Sequence, residues 1–120
     1  MKRDKYDIVF SKLIRSLAGH RCEYCKKADG QIDCAHIFGR RHRHTRWDVD
    51  NAVALCRYHH RYFSENPVLF FDWLSAYLGD ERLDALRLKA HQVKKWTSAE
   101  KTDLYSYLKA ELEKVESIDV

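Results

Sequence analysis

The 120-residue chain has little glycine, almost no proline and no long apolar run. Four glycines and one proline are too few for a linker-rich or low-complexity chain. No apolar stretch approaches the ~20 residues that a membrane-spanning helix needs. The start, Met1 to Lys5, leads into a segment interrupted by Lys12 and Arg15, which is not the pattern of a secretory signal. We therefore expect a cytoplasmic protein with no membrane partner.

Positive charge is concentrated in one part of the chain. Hydrophobic residues make up 45% and charged residues 33%, which is typical of a folded globular protein. The net charge is +4, and the stretch 36–62 holds six arginines against two aspartates, whereas the remainder has 16 basic and 16 acidic residues. Guanidinium groups bind phosphate oxygens in a bidentate way, so we expect a phosphate-binding surface, and a solvated surface run is the weaker explanation. The residues predicted to contact backbone phosphates are Arg40, Arg41, Arg43 and Arg46.

Hydrophobic periodicity predicts a helix, a short hairpin and a second helix in the first half of the chain. Apolar residues recur at helical spacing before Gly19, a plausible helix end. Two short apolar runs suit strands, and a polar loop over 38–51 separates them. The predicted elements are a helix over 4–18, strands over 31–37 and 52–55, and a short helix over 56–64.

Capping signals predict three further helices in the second half. Asn66-Pro67 has the pattern of an N-cap followed by proline at the first helical position. Asp80 can cap the next helix, and the capping box Thr97–Glu100 opens the last one. We expect these helices to pack as a scaffold on the first half. The fold class is therefore α+β, in one domain over 1–120 that comprises an N-terminal helix (1–19), a metal-stabilised core (20–65) and a helical extension (66–120).

Two ligand pairs with metal-knuckle spacing predict a structural zinc site. The pairs are Cys22-x-x-Cys25 and Cys56-x-x-His59, about thirty residues apart. Two such pairs complete a closed tetrahedral Cys3His site, which would stabilise a hairpin that is marginal alone. The alternative, that these cysteines are small buried hydrophobes, does not explain two matched pairs. Cys34 lies outside both pairs and is expected to be a core thiol, and His20 is a spare candidate ligand.

The residues between and after these pairs resemble a known family. The order Cys-x2-Cys, His36, Asn51 and Cys56-x2-His59-His60 resembles the HNH (ββα-metal) endonucleases, and the match covers residues 22–63. The wider stretches 35–41 and 45–51 are similar to phage-associated HNH proteins, including relatives of the NinG recombination proteins. The resemblance implies a zinc-bound ββα-metal core, metal-dependent hydrolysis of phosphodiester bonds in DNA, and a phage or mobile-element origin. The cytosol of a bacterium or of a phage-infected host would be the location.

Three residues are candidates for catalysis. A neutral histidine can take a proton from water near neutral pH, and His36 at the end of a strand is the candidate general base. An asparagine oxygen can accept from a ring N–H, so Asn51 is the candidate that orients this imidazole. His60 can bind a second divalent ion, Mg²⁺, Mn²⁺ or another, at the scissile phosphate. The resemblance assigns these same roles. His36 could instead be a core histidine and Asn51 a turn residue.

The chain departs from the family at residue 35. HNH enzymes often carry an acidic residue or histidine there as a second ligand to the catalytic ion, and this chain has Ala35. Asp33 lies on the same strand face and is the first candidate replacement, with His42 and His44 as the alternatives.

Two rival functions stand beside the endonuclease. A non-catalytic zinc-knuckle DNA-binding module is favoured if the catalytic ion is lost. An adaptor whose helical half binds a partner protein is the other. The sequence leaves open the structure and sequence of the DNA target, nicking against double-strand cutting, and the oligomeric state.

Overall fold

The computed structural model describes residues 2–118, and over that range the α+β prediction is confirmed. Five α-helices surround one two-stranded antiparallel sheet. In chain order the elements are α1 (Lys5–Leu17), β1 (Ile32–His36), a 3₁₀ turn (Val49–Asn51), β2 (Ala52–Cys56), α2 (Arg57–Glu65), α3 (Pro67–Leu78), α4 (Asp80–Ala90) and α5 (Ser98–Ile118).

Helix α1 begins with a capping box and ends at a left-handed turn. The Asp4 carboxylate accepts from the backbone N–H of Asp7, and the Asp7 carboxylate accepts from that of Asp4. The two reciprocal bonds satisfy amide groups that the first helical turn would otherwise leave without acceptors. At the other end, Gly19 and His20 have φ values of 67° and 58°. Glycine adopts this conformation at no steric cost, so the predicted stop at Gly19 is where the chain leaves the helix.

The hairpin is in register over five residue pairs. Ile32 of β1 lies opposite Cys56 of β2, and His36 lies opposite Ala52. Because side chains alternate along a strand, Ala35 and its partner Val53 face one side of the sheet, whereas Cys34 and His36 face the other.

Each face of the hairpin packs against a separate group of helices. One buried cluster joins the Ala35 face to α2, α3 and α4, with Leu74 completely buried. The other joins the Cys34 face to α1 and α5, with Phe10 and Leu108 completely buried. Strand β2 is covered on both faces, which explains its unbroken run of apolar residues. The expected packing of the helical half on the first half is confirmed.

The capping predictions of the second half have mixed outcomes. The box at Thr97 and Glu100 is confirmed, since each side chain accepts from the other residue's backbone N–H. Asn66 does precede α3, but its amide donates to the Tyr62 carbonyl and so caps the end of α2 instead. The Asp80 prediction is wrong. Asp80 is the first residue of α4 and its carboxylate accepts from the Ser75 hydroxyl.

Candidate functional site

The four predicted zinc ligands lie together. Their ligand atoms are all within 4.8 Å of one another, and we call these residues, Cys22, Cys25, Cys56 and His59, the Cys3His cluster. The sulfur atoms of Cys25 and Cys56 are 3.9 Å apart. Ligands at zinc–sulfur distances of ~2.3 Å in a tetrahedral site have sulfur separations of about 3.8 Å. The donor set and its spacing therefore fit zinc.

Backbone contacts with β2 hold the cluster. Cys56 ends β2, and His59 lies in the first turn of α2, which Cys56 caps through its sulfur. The turn of the first pair is fixed to β2 by Glu23, whose backbone N–H donates to the Ala54 carbonyl and whose carboxylate accepts from the Ala54 N–H. The Tyr24 ring packs 4.7 Å from the His59 ring. The two pairs meet because both are attached to the same strand.

The cluster also shifts the acidity of its thiols. Burial on its own would raise the pKa of Cys22, but backbone N–H groups near its sulfur, including that of Cys25, lower this pKa overall. Burial raises the pKa of Cys56 despite the His59 N–H. Outside the cluster, burial raises the pKa of Cys34 to about 12, which keeps this thiol protonated and inert.

A basic cleft of about 800 Å³ lies along the free edge of β1. Residues of α1 line one wall, residues of α2 line the other, and β1 lies between them. The lining includes two aspartates, Asp7 and Asp33, and two histidines, His36 and His60. We call this the arginine cleft, because five arginines line it: Arg3, Arg15, Arg40, Arg57 and Arg61. Its lining has an excess of positive charge that suits a polyanion.

His36 has one ring nitrogen held by the loop. Its Nε2 is 2.9 Å from the backbone carbonyl of Arg46, and its ring lies 5.5 Å from that of Phe10. Because a carbonyl only accepts, Nε2 carries the proton and Nδ1 keeps its lone pair. Burial lowers the pKa of His36 below its ordinary value, and the Arg40 charge adds to this against the opposing bond to Arg46. The imidazole is therefore neutral at pH 7 and can act as a base.

His60 is oriented by Asp33. The His60 Nδ1 is 2.9 Å from the Asp33 carboxylate, so Nδ1 donates, and in the neutral ring Nε2 carries the lone pair. The same carboxylate accepts from Gln31 and is 3.2 Å from Arg57. Metal-binding histidines are commonly held by a carboxylate in this way. The structure thus brings Asp33 to His60, as the sequence predicted, but as its hydrogen-bond partner.

The Asn51 side chain makes its hydrogen bonds to the backbone of Phe38 and Thr45 and none to the imidazole of His36, which corrects its expected role. The side chain is completely buried, and it accepts from the Phe38 N–H and donates to the Phe38 and Thr45 carbonyls. It therefore fixes the shape of the 38–51 loop. The group that orients the His36 ring is the carbonyl of Arg46, which sequence reasoning could not single out because every residue carries a carbonyl.

The predicted phosphate-binding arginines divide into three groups. Arg40 lines the arginine cleft as expected and lies 3.5 Å from Asp7. Arg46 does not fit the prediction: its guanidinium is 11% exposed and makes two hydrogen bonds to Asp7. Arg41 and Arg43 are exposed but lie outside the cleft lining.

Asp7 is the buried carboxylate that joins α1 to the loop. Besides Arg46 it accepts from the indole N–H of Trp47 at 2.9 Å. Burial alone would raise the pKa of Asp7, but the bonds from Arg46, Asp4 and Trp47 hold this pKa well below its usual range. The carboxylate is charged in the folded protein, and sequence reasoning missed it.

Neither loop histidine joins Asp33 and His60 as a metal ligand. His42 Nδ1 lies 3.1 Å from the Ala90 carbonyl at the end of α4. The Nδ1 of His44 is buried without a hydrogen-bond partner in the described part of the chain. Within residues 2–118, the Cys3His cluster is the one group of three or more close metal-ligating side chains. His20 is exposed and takes no part in it.

Searches of protein-family models, curated proteins and solved structures found no match to this chain. No helix among the described residues is both long enough and apolar enough to cross a membrane.

Proposed function

We propose that this chain is a metal-dependent DNA endonuclease of the HNH type, with the Cys3His cluster as its structural zinc site. The observation that carries the proposal is that His36 and His60 line one arginine-rich cleft, each with one ring nitrogen held by an acceptor. Each imidazole, when neutral, is therefore fixed in tautomer and has a lone pair on its other ring nitrogen. The Cys3His ligand set and the sequence resemblance support the same assignment.

The proposed reaction uses His36 as the general base. Its Nδ1 takes a proton from a water molecule, and the oxygen attacks the scissile phosphorus as the ester bond to the leaving oxygen breaks, after which the leaving oxygen takes up a proton from solvent water. Its lowered pKa keeps the base free at neutral pH. Arg40 and Arg57 can stabilise the negative charge that develops on the phosphate oxygens, because both line the same cleft.

His60 would hold the catalytic divalent ion through its Nε2, together with the substrate phosphate, while Asp33 orients the His60 ring through Nδ1. Such an ion supplies Lewis-acid stabilisation of the phosphate. Mg²⁺ often uses only one or two protein carboxylates and completes its coordination with water and phosphate. Few protein ligands therefore suffice, and Asp33, which accepts from His60 and Gln31, would support the ion by orienting the His60 ring.

A non-catalytic zinc-knuckle DNA-binding module is the second candidate. Ala35 occupies the position where the resemblance expects a ligand, and it is buried against α2–α4. No third metal-ligating side chain joins Asp33 and His60 within residues 2–118. A chain that retained the zinc and the basic cleft but lost the catalytic ion would bind DNA without cutting it.

A plasmid-nicking assay separates the two candidates. Zinc-loaded protein is incubated with supercoiled DNA and Mg²⁺ or Mn²⁺, alongside His36→Ala and a matched control, His91→Ala. His91 is exposed and lies outside the cleft lining. We expect nicking by the wild type and the control, and a loss of roughly 100-fold or more for His36→Ala, since general-base catalysis contributes about 10²–10⁴-fold.

The outcomes discriminate among all three hypotheses when DNA binding and zinc content are measured on the same samples. If the wild type and His36→Ala are equally inert but both shift DNA, the binding module is correct. If neither protein binds DNA, the adaptor hypothesis gains. A His36→Ala protein that has lost its zinc is replaced by His36→Asn, which keeps a polar group beside the Arg46 carbonyl.

A further inference from the structure

Helix α1 presents a polar stripe to the arginine cleft although it lies outside the hairpin and the zinc-binding pairs. Every fourth residue from Arg3 lines the cleft: Arg3, Asp7, Ser11 and Arg15. Asp7, Ser11 and Arg15 lie four apart on α1 and so form one continuous face. Arg3, which precedes the N-cap Asp4, lines the cleft beyond the start of the helix. Asp7 and Ser11 are buried polar residues, whereas Phe10 and Leu13 pack into the core.

Helix α2 presents a matching stripe from the other side of β1. It comprises Arg57, His60, Arg61 and Ser64, again at spacings of three and four. The free edge of β1 runs between the two stripes. The cleft therefore has one basic wall on the α1 side and one on α2, and His60 belongs to the α2 wall.

The guanidinium groups in the two walls are of two kinds, because that of Arg57 pairs with a carboxylate and three others do not. Arg46, Arg57 and Arg87 pair with carboxylates. By contrast, no ion pair among the described residues involves Arg15 or Arg61, and Arg3 donates only to the neutral Ser11 hydroxyl at 2.9 Å. The two aspartates of the cleft are already occupied by other donors. These three guanidinium groups therefore offer N–H donors for an anion that is not part of the chain.

We propose that α1 forms the second wall of the nucleic-acid site, with Arg3 and Arg15 binding backbone phosphates across β1 from Arg61. This inference rests on the proposed nucleic-acid substrate and does not depend on catalysis. The cleft lining contains no phenylalanine, tyrosine or tryptophan on which a base could stack. The contacts are therefore with the phosphate backbone, and binding is sensitive to salt and indifferent to sequence.

Salt-dependent DNA binding by matched variants tests the second wall. Zinc-loaded protein binds a short fluorescent duplex without added divalent ion, between about 50 and 200 mM salt. Arg15→Gln removes the proposed contact, Arg61→Gln removes one from the α2 wall, and Lys12→Gln makes the same charge change at an exposed α1 position outside the cleft. Arg15→Lys keeps the positive charge.

We expect Arg15→Gln to weaken binding about tenfold at low salt and to reduce the slope of log K against log salt by about one. Arg61→Gln should act similarly, whereas Lys12→Gln should leave the slope unchanged and Arg15→Lys should restore it. A merely structural role of Arg15 at the end of α1 would lower the melting temperature without changing the slope. That result, or equal slopes for Arg15→Gln and Lys12→Gln, overturns the proposal, as does a wild type that does not bind DNA.

Binding that depends on Arg15 but is not followed by nicking in Mg²⁺ or Mn²⁺ contradicts the endonuclease and leaves the two-walled site intact. Conversely, nicking whose salt dependence is unchanged in Arg15→Gln supports the endonuclease and contradicts the two-walled site. The two proposals therefore fail separately.

Discussion

The two edges of the hairpin carry two different kinds of arrangement. At the β2 edge, the Cys3His cluster draws all four ligands from two short segments that are attached to the same strand. At the β1 edge, the arginine cleft collects side chains from α1, β1, the 38–51 loop and α2. In the cluster one ion would hold every member, whereas in the cleft each imidazole has its own partner. The first arrangement serves stability, and the second leaves nitrogen atoms and guanidinium groups open to a ligand.

Loss of zinc from the Cys3His cluster should have the largest effect, because such an ion would join both segments to the hairpin. Structural zinc sites contribute on the order of 10 kcal/mol of folding free energy, comparable to the whole stability of a small domain. We expect Cys22→Ser to bind no zinc and to lose its cooperative unfolding transition. Cys34→Ser is the matched control, since Cys34 lies outside the cluster. Calorimetry and metal analysis measure both, and a zinc-free Cys22→Ser protein that melts like the wild type would contradict a structural role.

The next largest effect should come from Asp7 in the cleft wall. Asp7→Asn leaves the mostly buried Arg46 guanidinium with only the more distant carboxylate of Asp4, at 3.6 Å, and should cost up to about 3–5 kcal/mol. Because the pKa of Asp7 is lowered on folding, its contribution is present above the unfolded pKa of about 3.9 and is lost as the pH falls below that value. Urea unfolding at pH 7 and pH 3 should show a large difference from the wild type at the first pH and a smaller one at the second.

Asp103→Asn provides the control for this measurement, since Asp103 is an exposed acid on α5. An Asp7→Asn deficit that does not shrink on acidification would show that packing around α1, rather than the charge of Asp7, accounts for the loss.

Asp33 tests whether the cleft depends on hydrogen-bonded orientation. Asp33→Ala removes the acceptor that holds His60 Nδ1, and such partners of metal-binding histidines contribute about 10–100-fold in affinity or activity. We expect a decrease of that size in nicking, with a higher Mn²⁺ requirement and unchanged zinc content. Asp72→Ala on the exposed side of α3 is the control. Unchanged metal dependence in Asp33→Ala would place the catalytic ion elsewhere.

The smallest effect should come from the support of the first cysteine pair. The Tyr77 hydroxyl donates to Glu23 at 2.8 Å, and Glu23 in turn is bound to β2. Burial and the Glu23 charge raise the pKa of Tyr77 to about 12, so the hydroxyl stays a donor. Tyr77→Phe should lower stability by less than about 1 kcal/mol and should slightly speed zinc release to a chelator. Tyr107→Phe, with a hydroxyl that makes no hydrogen bond among the described residues, should do neither.

The ligand pairs and the strand at the β2 edge can be predicted from the sequence because each is specified by residues close together in the chain. A two-residue gap allows both members of a pair to face one ion, and the apolar run 52–55 specifies a buried strand on which both pairs meet. Both statements need only neighbouring residues. The same holds for the capping box at Thr97 and Glu100, which is confirmed.

The β1 edge is harder to predict because its contacts join distant segments. Asp7 and Arg46 are 39 residues apart, and nothing in the spacing of either one indicates the other. An amide can both donate and accept, so the identity of Asn51 does not distinguish binding a ring from clamping a loop. The period of four from Arg3 to Arg15 is visible in the sequence, but only the fold shows that it faces His60.

Arg46 links two parts of the cleft through different ends of the same residue. Its guanidinium is bound to Asp7 of α1, and its carbonyl receives the His36 ring. The tautomer of His36 therefore depends on the position of α1, because Arg46 contacts both. If positions 7 and 46 are randomised together and the library is selected for nicking, acid–arginine pairs should be recovered far more often than either residue alone. Such covariation would link two residues to which no direct contact with the phosphate is assigned.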